Sequence, residues 1–108
     1  MSDRLPSHLF VSAMLRRAND SGGMGMVLAK GDAQAGAILA VTIEPGGAER
    51  LFERGFDRLG RVAIVESTPA EDVADYWRRR RSRDPDLWVI ELDIASPERF
   101  AAETILAS

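Results

Sequence analysis

The chain holds 108 residues, 45% of them hydrophobic and 29% charged, with a net charge of −3. That length supports one domain, and the absence of cysteine excludes a disulfide framework, a thiol nucleophile and a thiolate metal site. No apolar run approaches the roughly 20 residues of a membrane span, no basic-then-apolar leader opens the chain, and an isoelectric point near 5.1 argues against a general nucleic-acid coat. The expectation is a single cytoplasmic domain over 1–108, with residues 1–6 and the tail 95–108 peripheral, no membrane association and no cofactor.

From His8 to about Asn19 the apolar residues Phe10, Val11, Met14, Leu15 and Ala18 follow the spacing of one helical face. Pro6 and Ser7 suit its start, and the run Asn19-Asp20-Ser21-Gly22-Gly23 stops it. The period then changes to the alternation of a strand over Met24–Ala29. After the break Gly31–Gly36, the near-continuous apolar stretch Ala37–Ile43 reads as a strand covered on both faces. Pro45-Gly46-Gly47 turns the chain into Arg50–Phe56, where charged and large apolar residues alternate. Asp57–Gly60 is a four-residue turn, and Val62–Val65 returns as its partner strand. Loops this short predict an antiparallel meander of four strands. Thr68 as N-cap, Pro69 in the first helical position and Glu71 three residues on predict a second helix, which Pro85 ends by forcing Asp84 out of helical geometry. Leu87–Leu92 reads as an internal strand, and Ser96-Pro97 as the start of a short final helix. The predicted fold is α+β: a mostly antiparallel five-stranded sheet with helices packed on one face, in the order α-β-β-β-β-α-β-(α). Val73 and Trp77 are expected over a face formed by Trp88, Ile90 and Leu92.

His8 is the sole histidine, so no histidine pair or histidine metal cluster can form. Ser12, His8 and Asp32 compose a triad on paper, yet a helix places His8 and Ser12 one turn apart with no nucleophile elbow around Ser12. Gly31-Asp32-x-x-x-Gly36 resembles a phosphate loop but lacks the Lys-Ser/Thr ending and leads into a strand rather than a helix; a hairpin loop in which Asp32 bonds its own backbone explains it better. Asp84, Asp86 and Glu91 are spaced neither as a calcium loop nor as a metal-binding helix pair, so no metal is expected. His8, Asp32, Asp86 and Glu91 stand as the catalytic candidates to inspect together.

The run Arg78-Arg79-Arg80-Arg81-Ser82-Arg83 is the feature with most contrast. Helical steps of 100° spread it around the cylinder, so some arginines must lie against the domain. Asp75 and Arg79 have the spacing of an i,i+4 pair. Tyr76, Arg78, Arg79, Arg81 and Arg83 are the binding candidates, since tyrosine and arginine anchor interfaces.

Several stretches carry a resemblance: Arg4-Leu5-Pro6-Ser7-His8, Val11-Ser12-Ala13 with Arg16-Arg17, Lys30-Gly31-Asp32 through Gly36-Ala37, and above all Asp84-Pro85-Asp86-Leu87-Trp88-Val89-Ile90-Glu91. Together they resemble a family of small bacterial proteins grouped only as a domain of unknown function, from the N-terminus to about residue 93. The resemblance implies a shared fold and no assigned activity.

With no nucleophile–base pair, metal set or cofactor loop above chance, the expected function is a non-catalytic protein-interaction module with an unidentified protein partner. The alternatives are a small hydrolase using a polar cluster around His8 and Asp32, and a weak nucleic-acid or anion binder through Arg78–Arg83, nucleic acid being the less expected partner. The strand Met24–Ala29 is apolar and carries no charge before Lys30, so if outermost it invites pairing with a second copy; a homodimer is expected on that ground. Charge at Arg50, Glu53 and Arg54 would discourage such pairing if the third strand were an edge.

Overall fold

The computed structural model describes residues 6–94 apart from 45 and 57. In chain order these form α1 (Ser7–Asp20), β1 (Met24–Ala29), β2 (Ile38–Ile43), β3 (Glu49–Phe56), β4 (Val62–Glu66), α2 (Val73–Arg83) and β5 (Trp88–Asp93). The α+β class and this element order are those the sequence predicts. The short helix expected after Ser96 lies outside the described residues. Among the described residues no helix is long and apolar enough to cross a membrane.

α1 forms because Phe10, Val11, Met14 and Ala18 recur on one stripe, and all four are buried. No side chain caps its start. Instead the loop 33–36 supplies carbonyls to the first-turn amides: Ser7 N donates to Gln34 O at 3.1 Å and His8 N to Ala33 O at 2.9 Å. This satisfies donors that every helix start leaves orphaned. α2 begins later than predicted. Asp72, not Thr68, is the N-cap, its carboxylate accepting from Asp75 N at 3.0 Å. Thr68 serves the sheet instead, accepting from Leu51 N and donating to Glu66. Pro85 ends the helix as expected: α2 stops at Arg83.

The five strands form one sheet in the order β1-β5-β2-β3-β4. Pairing is antiparallel except between β2 and β5, which run parallel with Ile38 beside Trp88 and Thr42 beside Leu92. The predicted four-strand meander therefore holds only for β2-β3-β4, because β5 inserts between β1 and β2. Insertion is matched by burial. β2 and β5 carry the longest buried runs, residues 39–42 and 88–90, the condition in which parallel pairs occur. β3 lies between β2 and β4, so the charges of Arg50, Glu53 and Arg54 guard no edge.

The helices do not share a face. Phe10, Val11, Met14 and Ala18 of α1 pack on Ala40, Phe52, Trp88, Ile90 and Leu92. Val73, Tyr76 and Trp77 of α2 pack with Leu39, Val41, Leu51, Leu87 and Val89. Side chains of a strand alternate between faces, so these are two cores on opposite sides of one sheet. The expectation of helices on one face, with Val73 and Trp77 over Trp88, Ile90 and Leu92, is corrected accordingly: α1 covers that face, and α2 the other. A sheet with apolar residues on both faces needs two covers.

Trp77 is only half-buried, with the Arg78 guanidinium 5.3 Å from its ring. Trp77→Ala is therefore expected to cost about 1.5–3 kcal/mol, against about 3–5 kcal/mol for Trp88→Ala in the α1 core. Urea unfolding of the two variants checks the order.

Candidate functional site

Parts of three segments that carry the sequence resemblance, residues 7–8, 30–37 and 84–88, meet in one place. The loop from Lys30 to Ala37 joins β1 to β2 and must cross the entry of β5, which lies between them. There Asp32 N donates to Asp86 O at 3.0 Å, Trp88 N to Ala37 O at 2.8 Å, and the Trp88 indole Nε1 to Asp32 O at 2.7 Å. Ser7 Oγ reaches Gly36 O at 2.7 Å from the start of α1. From the end of α2, Arg81 Nε donates to Leu87 O at 2.9 Å and Arg81 Nη2 to Lys30 O. The glycines permit the crossing. A Cβ at Gly31 would fall 2.1 Å from Asp86 O, and one at Gly36 would fall 2.0 Å from the same oxygen. Backbone is too rigid to yield that space, so glycine is there for close approach to a neighbouring chain segment rather than to a phosphate.

The catalytic candidates are distributed around this crossing without forming a reactive group. His8 Nδ1 lies 2.8 Å from Ala33 O; a carbonyl can only accept, so the ring proton sits on Nδ1. Asp32 accepts from Gln34 N at 3.0 Å and Ala35 N at 2.8 Å, bonding its own backbone as the sequence predicts. Asp86 takes part through its backbone: its carbonyl receives Asp32, and its amide donates to the Asp84 carboxylate at 3.2 Å. Glu91 lies in β5 between Met26 and Val41, on the face that α2 covers rather than the face of α1. No hydrogen bond among the described residues joins any two of these four side chains. Ser12 Oγ donates to His8 O at 2.9 Å, not to the imidazole. Nor does any group of three or more His, Asp or Glu gather among the described residues. At the far end of α1 an open cleft of about 440 Å³ is lined by Ser21, Gly22, Gly23, Ile43, Glu44, Asp93 and Ile94, and its Glu44 is held by Arg50 at 3.0 Å.

The arginine run divides as helical geometry requires. Arg80 turns to the sheet and holds Glu53 through two contacts of 2.6 and 3.0 Å, while Arg81 ties the crossing. Arg78, Arg79 and Arg83 are exposed. Arg79 pairs with Glu71 at 2.5 Å rather than with Asp75, a surface pair that adds little stability. Tyr76 is half-buried beneath the Arg80 guanidinium, 5.9 Å from its ring. Of the five binding candidates, then, Arg78, Arg79 and Arg83 face solvent, and Arg81 and Tyr76 serve the fold.

Sequence reasoning missed two charge clamps whose partners are distant in the chain. Burial would raise the Glu53 carboxyl, but hydrogen bonds from Arg80 and Ser67, with the Arg80 charge, outweigh it and hold the group below the usual carboxylate range. On the other face Arg50 bonds Glu66 at 2.6 and 3.0 Å and Glu44 at 3.0 Å. Hydrogen bonds from Arg50 and Thr68 bring the Glu66 carboxyl down to about 2. Nothing in the linear pattern marks pairs separated by 16 and 27 residues.

These features define a small α+β domain: a mixed five-stranded sheet, one helix on each face, and a glycine-dependent crossing where both helices and β5 meet. The chain belongs to the family described as protein of unknown function (DUF1491), whose model matches residues 5–102. It is similar to a DUF1491 family protein from Caulobacter crescentus solved by crystallography, with 31% identity, a TM-score of 0.79, and coverage of 90% of this chain and 94% of that one. An NMR structure of a DUF1491 family protein from the same organism gives 34% identity, a TM-score of 0.71, and coverage of 89% and 91%. A solution structure of an A. tumefaciens protein gives 30% identity, a TM-score of 0.68, and coverage of 83% and 86%. Comparison with curated proteins returns no match.

Two outcomes follow from this geometry. Gly36→Ala is expected to destabilise the domain far more than Gly46→Ala, where a Cβ meets nothing within 4 Å and only the positive φ is strained; thermal melting of both checks it. Because Glu53 and Glu66 titrate lower in the folded chain than their usual 4.5, they stabilise it above about pH 4.5; the contribution of Glu66 is lost as pH falls towards about 2, and that of Glu53 as pH falls through its own lowered value. The melting temperature of a Glu53→Gln/Glu66→Gln variant should fall less steeply across that window than the wild type's.

Proposed function

We propose that the protein is a non-catalytic, cytoplasmic protein-interaction module that binds through the open edge of β1. The observation that carries this reading is a contrast in where side chains point. Groups capable of chemistry are spent on the scaffold: His8 on Ala33, Asp32 on its own turn, Arg81 on the crossing. Meanwhile β1 is one of the two edge strands of the sheet among the described residues, has no charged residue, and exposes Met24 at 64%, Met26 at 47% and Val27 at 41%. Unpaired edge amides and carbonyls give affinity to an added strand, and flanking apolar side chains give it specificity. Methionine is well suited to such a surface because its unbranched, polarisable side chain adapts to its partner.

Affinity capture with the tagged full chain tests the reading against its alternatives. A partner, either another protein or an untagged copy, is expected to be lost with Met24→Lys/Met26→Lys and retained with Arg78→Ala/Arg83→Ala. Loss with the arginine variant alone would move binding to the exposed arginines of α2. Turnover of chromogenic esters or phosphoesters that disappears in His8→Ala would make the protein a hydrolase and overturn the proposal.

A further inference from the structure

Resting on the edge reading above, we infer that the strand added to β1 is β1 of a second copy, giving a twofold dimer with one continuous ten-stranded sheet. Four features of the chain are compatible with that symmetry at once.

The first is register. A twofold axis perpendicular to the sheet makes the two β1 strands antiparallel and keeps each face on its own side. Opposed residues must therefore share a face. In β1, Gly25 and Val27 lie beside Leu92 and Ile90 on the α1 face, and Met24 and Met26 lie beside Asp93 and Glu91 on the other. The register that fills this best sets Met26 opposite Met26, with Gly25 opposite Val27 on the α1 side, where the glycine leaves room for the valine. The bulge between Val27 and Ala29 lies beyond this segment.

The second is the helix layer. α1 sits over β1 and, less, over β5. With strands about 4.8 Å apart, twofold-related α1 helices would run side by side at about 8–10 Å, the ordinary packing distance of two helices. Their facing flanks are modest in size: Leu15, which overlies Gly25, with Ser12 and Asn19 three before and four after it.

The third is charge. β1 puts no like charges across the axis. At its end stands exposed Lys30, and antiparallel pairing brings it to the start of the other β1, where that copy exposes Asp20 and Asp93. The complementarity occurs twice in the dimer.

The fourth is area. A strand of six residues and a helix of 14 are each about 20 Å long. A contact of that length, two layers deep, buries on the order of 1,000 Å² in total, at the lower bound for a specific interface. β4, the other edge, contributes five residues, and neither α1 nor α2 packs principally over it; β1 offers the larger contact.

The test uses the intact chain. Light scattering at tens of micromolar should give twice the 11.8 kDa chain mass. Met26→Lys sets two like charges directly opposite and should weaken the dimer about tenfold or more, with circular dichroism and monomer melting unchanged. Because the chain has no cysteine, Met26→Cys supplies the only thiol. Diamide should oxidise two such thiols across the axis to one disulfide, whereas Met24→Cys, whose two copies lie about four residues apart along the strands, should stay uncrosslinked. A wild-type monomer at these concentrations overturns the inference. So does a dimer that survives Met26→Lys but dissociates with Val65→Lys on β4, or one that crosslinks as readily from position 24 as from 26. If the wild type is monomeric yet captures another protein in a manner lost with Met24→Lys/Met26→Lys, the second-copy assignment fails while the edge reading stands.

Discussion

The fold depends on one crossing. β1 and β2 are neighbours in sequence but not in the sheet, so the loop between them must pass over the entry of β5 and span two strand spacings, about 10 Å. Passing one backbone that closely over another leaves no room for side chains at Gly31 and Gly36. Once there, the loop is useful three times over. It receives the Trp88 indole, it caps the start of α1 with the carbonyls of Ala33 and Gln34, and through Lys30 O it accepts from Arg81 at the end of α2. A helix start without a side-chain cap would otherwise leave its first amides to water. Position, cap and core are thus set by the same few residues, and loss of the close approach would disturb all three.

The crossing also explains why two cores coexist in so short a chain. Inserting β5 beside β2 sets the two strands with the longest buried runs side by side and covers both faces of each. Val89 and Leu39 then look to α2, and Ile90 and Ala40 to α1. α2 presents few apolar residues: Val73, Tyr76 and Trp77 are its contribution. Its attachment is completed by Arg80 on Glu53 and Arg81 on Leu87 O. These are half-buried, charge-assisted contacts, which are stronger than neutral hydrogen bonds. An arginine-rich helix can in this way cover an apolar sheet, because the aliphatic stems and the guanidinium groups serve different layers.

What was legible in the sequence is what period and punctuation encode. α1 was visible in Phe10, Val11, Met14 and Ala18, and the strands in the change of period after Gly23. The end of α2 was visible in Pro85, and the self-bonded turn in Asp32. The start of α2 lies later than the cap chemistry of Thr68-Pro69 with Glu71 suggests, because Thr68 is drawn instead to Leu51 N and Glu66 by the sheet beside it. Strand order was not legible, since a loop of a given length can either turn a hairpin or bridge a strand inserted later. From that one error follow both the four-strand meander and the placing of the helices on one face. Of the candidate site, the segments 30–37 and 84–91 mark the crossing, where the loop and β5 meet. They did not disclose that His8, Asp86 and Glu91 would fail to assemble there, because partners such as Ala33 O and Asp86 O are backbone atoms that any residue carries.

The openness of β1 is itself a consequence of the crossing. Had β1 paired with β2 while keeping β5 on its other side, it would have been interior, and Met24, Met26 and Val27 would have met neighbours on both sides. With β5 inserted, β1 is pushed outward and keeps one paired edge and one free one. Isolated edges are normally blunted by charge, proline or a bulge. β1 has the bulge alone, placed at its end after Val27, so Met24–Val27 remains regular and uncharged. β3, which has the charges that would blunt an edge, is interior and directs them inward to Glu66, Glu44 and Arg80. Charge in β3 is thus used inside the structure, while β1, one of the two edges of the sheet, carries none.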